Sequence, residues 1–337
     1  MAYQILNPGM RLWFSAAGDA VAGYQCFRRV RVIAGAPVCR PERLADVAAE
    51  LEAEANAGGE TVTFFGAGSR LEQVYAARTD HTFLRLGAQP VWDPRAWPQI
   101  VNGKASLRAQ LNRAHNKDVH VAEWSAERAQ GSAGLRAVLG EWLDMRGLPP
   151  LGFLVTPGLL DTLGDRRVFV AERGNGDGAI VGFLVATPIP ARTGWLVEQW
   201  PRTRAAPNGT THLLVDAAMR AFGDAGSRYA TLGLAPLSEY AGEVATGQPA
   251  WLRLGLHWAR AHGRRFYNFR GLEAFKASVQ PTAWEPIFAI AQGRRFTVGM
   301  LRAIAGVFSS GAPERLIARA LASAAMKEMH RLRSAIA

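Results

Sequence analysis

The chain has 337 residues, of which 49% are apolar and 20% are charged, and its net charge is +11. These proportions exclude a wholly disordered chain and allow one large domain or two domains of ordinary size. The two cysteines, Cys26 and Cys39, exclude a disulfide framework and a four-cysteine zinc site, and they indicate a protein of a reducing compartment.

Strands and helices alternate in the predicted first half of the chain. Aromatic and β-branched residues predict a strand at 24–34, and Pro41 opens a helix that ends at Gly58-Gly59. The remaining predicted elements are strands at 61–67, 83–91 and 119–124, a helix capped by Ser69 that runs to about Arg78, and a helix at 103–117.

The sequence of the second half predicts an antiparallel meander of strands, followed by alternating helices and strands. Its predicted elements are helices at 132–146, near 157–164, at 210–223 and at 249–262, and strands at 167–172, 180–186, 195–200, 229–234 and 284–291. Gly174 to Gly178 has the composition of a hairpin turn. Three adjacent antiparallel strands, then helix, strand, helix and strand, is the order of a GNAT-type acyltransferase.

The predicted fold is therefore α+β. It consists of two tandem GNAT-like acyltransferase domains, at 1–130 and 131–292, and a basic helical tail at 293–337.

The positive charge is concentrated at the carboxy-terminal end. Residues 251–337 contain 14 Lys and Arg but four Glu. Such a surface is either a solvated face or a surface that binds the phosphates of nucleic acid or of an anionic membrane. Phe296, Met300, Leu301 and Ile304 share one helical face, and 313–335 predicts a basic amphipathic helix that lies on a membrane or packs on the protein.

Several signatures are missing from the sequence. The seven histidines form no metal-ligand motif, and no glycine-rich coenzyme A loop stands at a strand–helix junction, so we predict neither a metal nor a cofactor. The start of the chain lacks the cationic and apolar regions of a signal peptide, and no apolar run reaches the length of a spanning helix.

Four short motifs occur in a fixed order. They are Leu107-Arg108 with Asn112-Arg113-Ala114; Ala206-Pro207-Asn208-Gly209-Thr210; Leu232-Gly233-Leu234-Ala235-Pro236-Leu237; and Phe266-Tyr267-Asn268-Phe269-Arg270-Gly271-Leu272, followed by Phe275-Lys276 and Trp284-Glu285-Pro286. Together they resemble the cytosolic synthase domain of the multiple peptide resistance factor, the aminoacyl-phosphatidylglycerol synthase family, over residues 24–292.

The resemblance implies transfer of an amino acid from aminoacyl-tRNA to a phosphatidylglycerol-like lipid hydroxyl in the second GNAT-like domain. The implied partners are aminoacyl-tRNA, an anionic phospholipid and, through the basic tail, a membrane surface. We therefore expect a cytoplasmic protein, peripheral at the inner face of the membrane. Full-length members also carry a membrane-spanning flippase region that this sequence does not contain, so we expect no flipping activity.

One segment departs from the family pattern. Where the family has Val-Asp-Leu-Met-Arg, this chain has Val197-Glu198-Gln199-Trp200-Pro201, with Arg202 next to the missing Arg. In addition, His212 stands where the family usually has Asp. These changes leave the donor and the acceptor open.

The candidate catalytic residues are Glu198, Arg202, Lys276 and Glu285. Glu198 either accepts a proton and orients the acceptor hydroxyl, or pairs with Arg202 or Arg204 as a structural carboxylate. Lys276 and Arg270 either bind a lipid phosphate or the tRNA 3′ end, or pair with Glu273. Glu285 holds the donor α-amine or caps a turn.

The candidate substrate-binding residues extend over both halves. They are Arg108, Asn112, Arg113, Asn208, His212, Tyr267, Asn268, Arg270 and Trp284. Asn208 is predicted as a helix N-cap beside an anion site, and Arg108, Asn112 and Arg113 either contact phosphate or form salt bridges between domains.

Two alternatives stay open at this point. One is an acyltransferase of the same fold that uses a thioester donor and another lipid acceptor, such as an amino lipid. The other is a non-catalytic module that binds lipid or RNA, which the Pro201 change favours.

Overall fold

The structure, a computed structural model, describes residues 2–145, 158–174, 178–242, 249–252, 254 and 269–309. Its strands are β1 (Arg11–Phe14), β2 (Val21–Phe27), β3 (Val30–Ala34), β4 (Thr61–Ala67), β5 (His81–Trp92), β6 (Val119–Trp124), β7 (Arg167–Arg173), β8 (Ala179–Ile189), β9 (Gly194–Gln199), β10 (Tyr229–Thr231), β11 (Ala235–Pro236) and β12 (Ala283–Gln292). Its helices are α1 (Leu44–Ala57), α2 (Ser69–Tyr75), α3 (Trp97–Gly103), α4 (Ala105–His115), α5 (Ala126–Gly131), α6 (Ala133–Asp144), α7 (Thr210–Asp224), α8 (Phe269–Ser278) and α9 (Val298–Phe308).

The strands form one continuous mixed sheet. Its order is β1-β2-β3-β4-β12-β5-β10-β9-β8-β7-β6, with β11 paired to β5. In the second half, β7, β8 and β9 are consecutive antiparallel strands, and β10 returns parallel to β9 after α7. This is the strand–helix–strand order that the sequence predicts, and the fold is mixed α/β.

The two longest-range strand pairings tie the halves of the chain together. β12, near the carboxy-terminal end, lies between β4 and β5, and β5 pairs on its other edge with β10. The last long strand of each half therefore lies against strands of the other half. Residues of α3 and α4 also share a hydrophobic core with α7. The division into domains at residues 130 and 292 stays a prediction.

Helices cover both faces of the sheet and set its cores. α1 buries Leu44, Val47 and Leu51 against β4, and α7 buries its apolar face against β8 and β9. α9 packs on β2 and β3, where Phe27 meets Gly306. The predicted apolar face of the tail is confirmed in part: Met300, Leu301 and Ile304 of α9 pack in one core with Leu84, whereas Phe296, in the same core, precedes the helix.

Four local expectations need correction. Residues 24–34 form two strands, because Arg28 and Arg29 adopt positive φ angles of 50° and 62° in a two-residue turn. Ser69 is the first residue of α2 rather than its cap, and the element near 157–164 is a 3-10 turn at Leu159–Asp161. The strand at 229–234 ends at Thr231, because the chain separates from β9 there and continues along β5 as β11.

Other expectations lie outside the described residues. They are the tail helix at 313–335, most of the helix at 249–262, and the centre of the hairpin turn at 175–177. Within the described part of the chain, no helix combines the length and the apolar character needed to span a bilayer.

Candidate active site

A cleft opens where two parallel strands separate. β9 and β10 pair only from Gly194 to Leu196 and from Tyr229 to Thr231. Beyond this point β9 stays paired with β8, whereas the segment after β10 turns at Gly233, with a φ of +70°, and continues along β5 as β11. We call the space between residues 197–201 and 232–234 the strand-end cleft.

Lys276 of α8 occupies this cleft. Its side chain is 1% exposed, and Nζ donates hydrogen bonds of 2.8 Å to the Gly233 carbonyl and 2.9 Å to the Leu234 carbonyl. No carboxylate among the described residues pairs with it, and burial lowers the pKa of Lys276 to about 7. Lys276 is therefore neither at the surface nor paired with Glu273, whose carboxylate instead accepts the backbone N–H of Glu239.

Aromatic rings line the cleft beside this amine. The Trp200 ring centroid lies 5.8 Å from Lys276 Nζ and 5.9 Å from the Phe275 ring. His212, in the first turn of α7, packs edge-on against Phe275 at 5.1 Å, and its Nε2 lies 3.3 Å from the Ser278 hydroxyl. Burial lowers the pKa of His212, so the ring is neutral at pH 7 and serves to dock α7 against α8.

Glu198 lies at a β-bulge in β9. The register of β8 and β9 shifts by one residue, which leaves Glu198 without a partner opposite it. Val197 faces the core beneath α7, whereas Glu198 faces Thr187 and the buried Arg166, whose Nε lies 3.6 Å from Glu198 Oε2. The predicted structural partners were Arg202 and Arg204; the observed partner is Arg166, because the bulge turns the side chain toward β8.

The carboxylate of Glu198 is incompletely bonded. Its Oε1 is buried and has no hydrogen-bond partner. Burial raises the pKa of Glu198, and Arg166 opposes that rise. Within the described part of the chain no contact joins Glu198 to Lys276, so the structure does not bring these two candidate catalytic residues together.

Glu285 connects three strands. Its Oε2 accepts hydrogen bonds from Gln89 of β5 at 3.0 Å and from Tyr229 of β10 at 2.9 Å, and its Oε1 accepts one from Arg192 at 2.6 Å. Burial disfavours the charged form, but these hydrogen bonds lower the pKa of Glu285 below its ordinary value. Three of about four acceptor positions are thus used within the protein. The neighbouring Trp284 stacks on Tyr240, with ring centroids 4.4 Å apart.

The start of α7 lies against α4. Its N-cap is Gly209 and not Asn208, because at a φ of +99° a side chain would place Cβ 2.1 Å from the Gln110 carbonyl. Asn208 is exposed one residue earlier. Arg108 of α4 donates to the carbonyls of Val101 and Asn102, which end α3, and no carboxylate of the described residues pairs with it. A contact of Arg108 with phosphate stays a prediction.

The remaining candidates are at the surface or outside the described residues. Asn112, Arg113, Arg202 and Arg270 are exposed, and Tyr267 and Asn268 fall in the part that the structure does not describe. In the described ranges, no group of three or more His, Cys, Asp or Glu side chains is arranged to hold a metal ion.

Comparison with known proteins decides the family. The family model described as phosphatidylglycerol lysyltransferase, C-terminal, matches residues 1–291. The chain belongs to this family. It is accordingly an acyltransferase of the lipid aminoacylation class, and the resemblance noted in the sequence is confirmed.

Solved structures agree in fold. The chain is similar to the C-terminal domain of a putative lysylphosphatidylglycerol synthetase from Agrobacterium fabrum, with 24% identity, a TM-score of 0.71 and coverage of 90% of this chain and 89% of that one. It is also similar to L-PGS from Bacillus licheniformis, with 22% identity, a TM-score of 0.73 and the same coverage. FemX matches with 10% identity, a TM-score of 0.53 and coverage of 87% and 88%. No curated protein matches.

For this phosphatidylglycerol lysyltransferase-like chain, the structure adds residues that sequence reasoning missed. Arg166, Arg192, Tyr229 and Ser278 are the partners of predicted site residues, yet none lies in a motif. Trp200 was noticed only as part of the altered segment. Its position in the sequence was a usable signal, because Trp200 lies at the end of a predicted strand and such a residue can border a cleft at the strand end.

Proposed function

We propose that the chain transfers an amino acid from aminoacyl-tRNA to a hydroxyl of phosphatidylglycerol in the strand-end cleft. The observation that carries this proposal is the buried amine of Lys276, whose pKa is about 7. The two carbonyls of Gly233 and Leu234 accept both N–H groups of a neutral amine, which leaves its lone pair for a proton. A base with a pKa near the working pH is the kind that general base catalysis needs.

In the proposed reaction a single proton moves, and Lys276 both accepts it and returns it. Neutral Nζ takes the proton of the lipid hydroxyl while its oxygen attacks the ester carbonyl of the donor. The tetrahedral intermediate collapses with cleavage of the ester bond to the tRNA 3′-terminal ribose. The Lys276 ammonium then returns the proton to the departing ribose oxygen, so the enzyme ends in its starting state.

The remaining candidates have supporting roles in the proposal. Arg202, which directly follows the cleft residues 197–201, and Arg270, which lies in α8 with Lys276, are exposed and carry fixed positive charge for phosphates of the donor or the lipid. Glu198, paired with Arg166, positions β9, and Glu285 has one free acceptor position for the donor α-amine. The basic tail at 293–337 adds contact with the membrane surface.

A label-transfer assay tests the function. The full chain is incubated with tRNA charged with a mixture of radiolabelled amino acids and with phosphatidylglycerol in mixed micelles, and extracted lipid is counted. We expect lipid-soluble label that requires phosphatidylglycerol and that disappears after RNase treatment of the donor. Label that survives RNase and comes from an acyl thioester would replace the tRNA donor with the alternative donor.

Variants of Lys276 test the site. Lys276→Met keeps the length and the burial but removes the base, and we expect turnover to fall by about 10²–10⁴-fold. An arginine at this position cannot lose its proton, so turnover of Lys276→Arg should fall as far. The matched control is Lys117→Met, at an exposed lysine of the loop after α4, which should keep wild-type turnover. Wild-type turnover in folded Lys276→Met would remove the proposed base.

A further inference from the structure

Large apolar side chains are exposed at the free edge of the sheet. β1 ends the sheet order, and it carries Leu12, 43% exposed, and Phe14, 60% exposed. Leu6, in the 3-10 helix Ala2–Leu6 beside β2, is 62% exposed. A soluble protein seldom leaves several large apolar side chains together at its surface without a use for them.

These side chains share one face. Phe14 lies opposite Val21 and Leu12 opposite Gly23 in the β1–β2 register, and Val21 bridges in turn to Val38, which is 37% exposed. Trp13, between Leu12 and Phe14, points to the other face and is buried. On the shared face α9 covers β2 and β3 but leaves the β1 edge open.

Unpaired arginines surround this face. Residues 1–43 contain six Arg and only two acidic residues, Asp19 and Glu42. Arg28, Arg29 and Arg40 are exposed, and none of them pairs with a carboxylate of the described residues. Arg28 and Arg29 form the tight turn between β2 and β3, so both project at the end of the hairpin. We call the apolar side chains Leu6, Leu12, Phe14 and Val38 with these arginines the β1 face.

We propose that the β1 face binds the anionic surface of a phospholipid bilayer. Its apolar side chains enter the boundary between headgroups and acyl chains, and its arginines bind lipid phosphates. Charge complementarity favours this occupant, because the family acts on the anionic lipid phosphatidylglycerol. The inference rests on that lipid acceptor but not on the chemistry of Lys276.

The β1 face anchors the protein and does not present the reacting lipid. β1 and β10 are six strand steps apart in the sheet order, which is roughly 29 Å at about 4.8 Å per strand. Loss of the anchor should therefore weaken membrane binding and leave the chemistry of the cleft unchanged.

Co-sedimentation with vesicles tests the proposal. The full chain is mixed with vesicles of phosphatidylglycerol and phosphatidylcholine, or of phosphatidylcholine alone. We expect binding to the anionic vesicles that Phe14→Asp weakens by about tenfold or more. Arg28→Gln with Arg29→Gln should weaken it by roughly 30-fold at low salt and by less at high salt. Leu254→Asp, at a leucine 70% exposed elsewhere, is the matched control and should bind like wild type.

Each outcome decides the proposal. If the Arg28/Arg29 double variant and folded Phe14→Asp both bind anionic vesicles like the wild type, the proposal is overturned. A wild-type dimer that Phe14→Asp converts to a monomer would overturn it as well, by showing that a second copy covers the face. If Phe14→Asp does not fold, the double variant decides. Vesicle binding needs no turnover, so a failure of the proposed function does not affect this test.

Discussion

Arg166 Nε lies 3.6 Å from Oε2 of Glu198, and both side chains are more than nine-tenths buried. Glu198 lies in β9, and Arg166 directly precedes β7. Removing one partner of a buried ion pair leaves an uncompensated charge, which costs far more than removing both. The pair is therefore a test of whether Glu198 serves the fold or the reaction.

We predict that Arg166→Met lowers the free energy of unfolding by about 3–5 kcal/mol. Because burial raises the pKa of Glu198, the folded state holds its proton to higher pH than the unfolded state. Without Arg166 this rise is larger, so the variant should lose further stability as pH rises above the ordinary pKa of a glutamate. Urea unfolding at several pH values measures both effects.

The double variant Arg166→Met with Glu198→Leu should recover most of the lost stability, since no buried charge remains. Arg202→Met, at an exposed arginine, should change stability by less than about 0.5 kcal/mol. If the double variant is as unstable as Arg166→Met, the ion pair is not the cause. If it is stable and still active, Glu198 has no essential part in the reaction.

Lys276 makes a second, independent prediction about pH. Its pKa is about 7 in the folded protein and is near 10.4 in an unfolded chain. Between these values the unfolded state binds more protons, so stability rises with pH, and below about pH 7 both states are protonated and the dependence ends. The unfolding free energy of the wild type should therefore rise relative to that of Lys276→Met from pH 7 upward, by at most about 1.4 kcal/mol per pH unit.

The same titration should appear in turnover. Because the neutral amine is the proposed base, the rate should rise with pH and reach half its maximum near pH 7, where Lys276 loses its proton. A rate profile that is flat across this range would exclude Lys276 as the base, even if the stability difference behaves as expected.

Part of the site was predictable from sequence. The rest depends on contacts between distant parts of the chain and on a local irregularity of the sheet. The motif that contains Lys276 marks its position in the chain, but its burial depends on carbonyls of Gly233 and Leu234, more than 40 residues away. Arg166 was missed because a β-bulge in β9 chooses the partner of Glu198, and bulges leave no clear signal in a single sequence.

The fold shows the same limit. Predicted helices and strands such as 61–67 and 119–124 match β4 and β6, because local apolar patterns determine them. The position of β12 between β4 and β5 was not predicted, since it joins residues about 200 positions apart. The β2–β3 turn was missed because Arg28 and Arg29 occupy positions where Gly or Asn is usual.

Glu285 gives a prediction that separates two roles. Its hydrogen bonds with Arg192, Gln89 and Tyr229 join β12, β5 and β10. We expect Glu285→Gln to lower the free energy of unfolding by about 1–2 kcal/mol, at the low end for bonds to a charged group because Arg192 is 39% exposed to solvent. Thermal unfolding measures the change.

The sign of its pH dependence follows from the lowered pKa of Glu285. The stabilisation is present above the unfolded pKa and is lost as pH falls through the folded pKa, so wild type and Glu285→Gln should converge in acid. Tyr229→Phe, which removes one donor, should cost about 0.5–1.5 kcal/mol. A Glu285→Gln protein that is as stable as wild type but inactive would instead assign Glu285 to the donor α-amine.

Gly209 determines how closely α7 approaches α4, and its replacement should be costly. At a φ of +99°, an alanine Cβ would lie 2.1 Å from the Gln110 carbonyl oxygen and 3.2 Å from the Ala114 nitrogen. Both neighbours are backbone atoms of a helix, so the whole start of α7 must move. We predict that Gly209→Ala lowers the free energy of unfolding by at least about 1–3 kcal/mol, from backbone strain alone. Because His212 lies in the first turn of α7 and packs on Phe275 beside Lys276, turnover should fall together with stability.

Gly140→Ala, at an exposed position in α6 with open space around it, is the matched control and should raise stability by roughly 0.5–1 kcal/mol. Equal stability of the two alanine variants would show that α7 and α4 do not meet at Gly209.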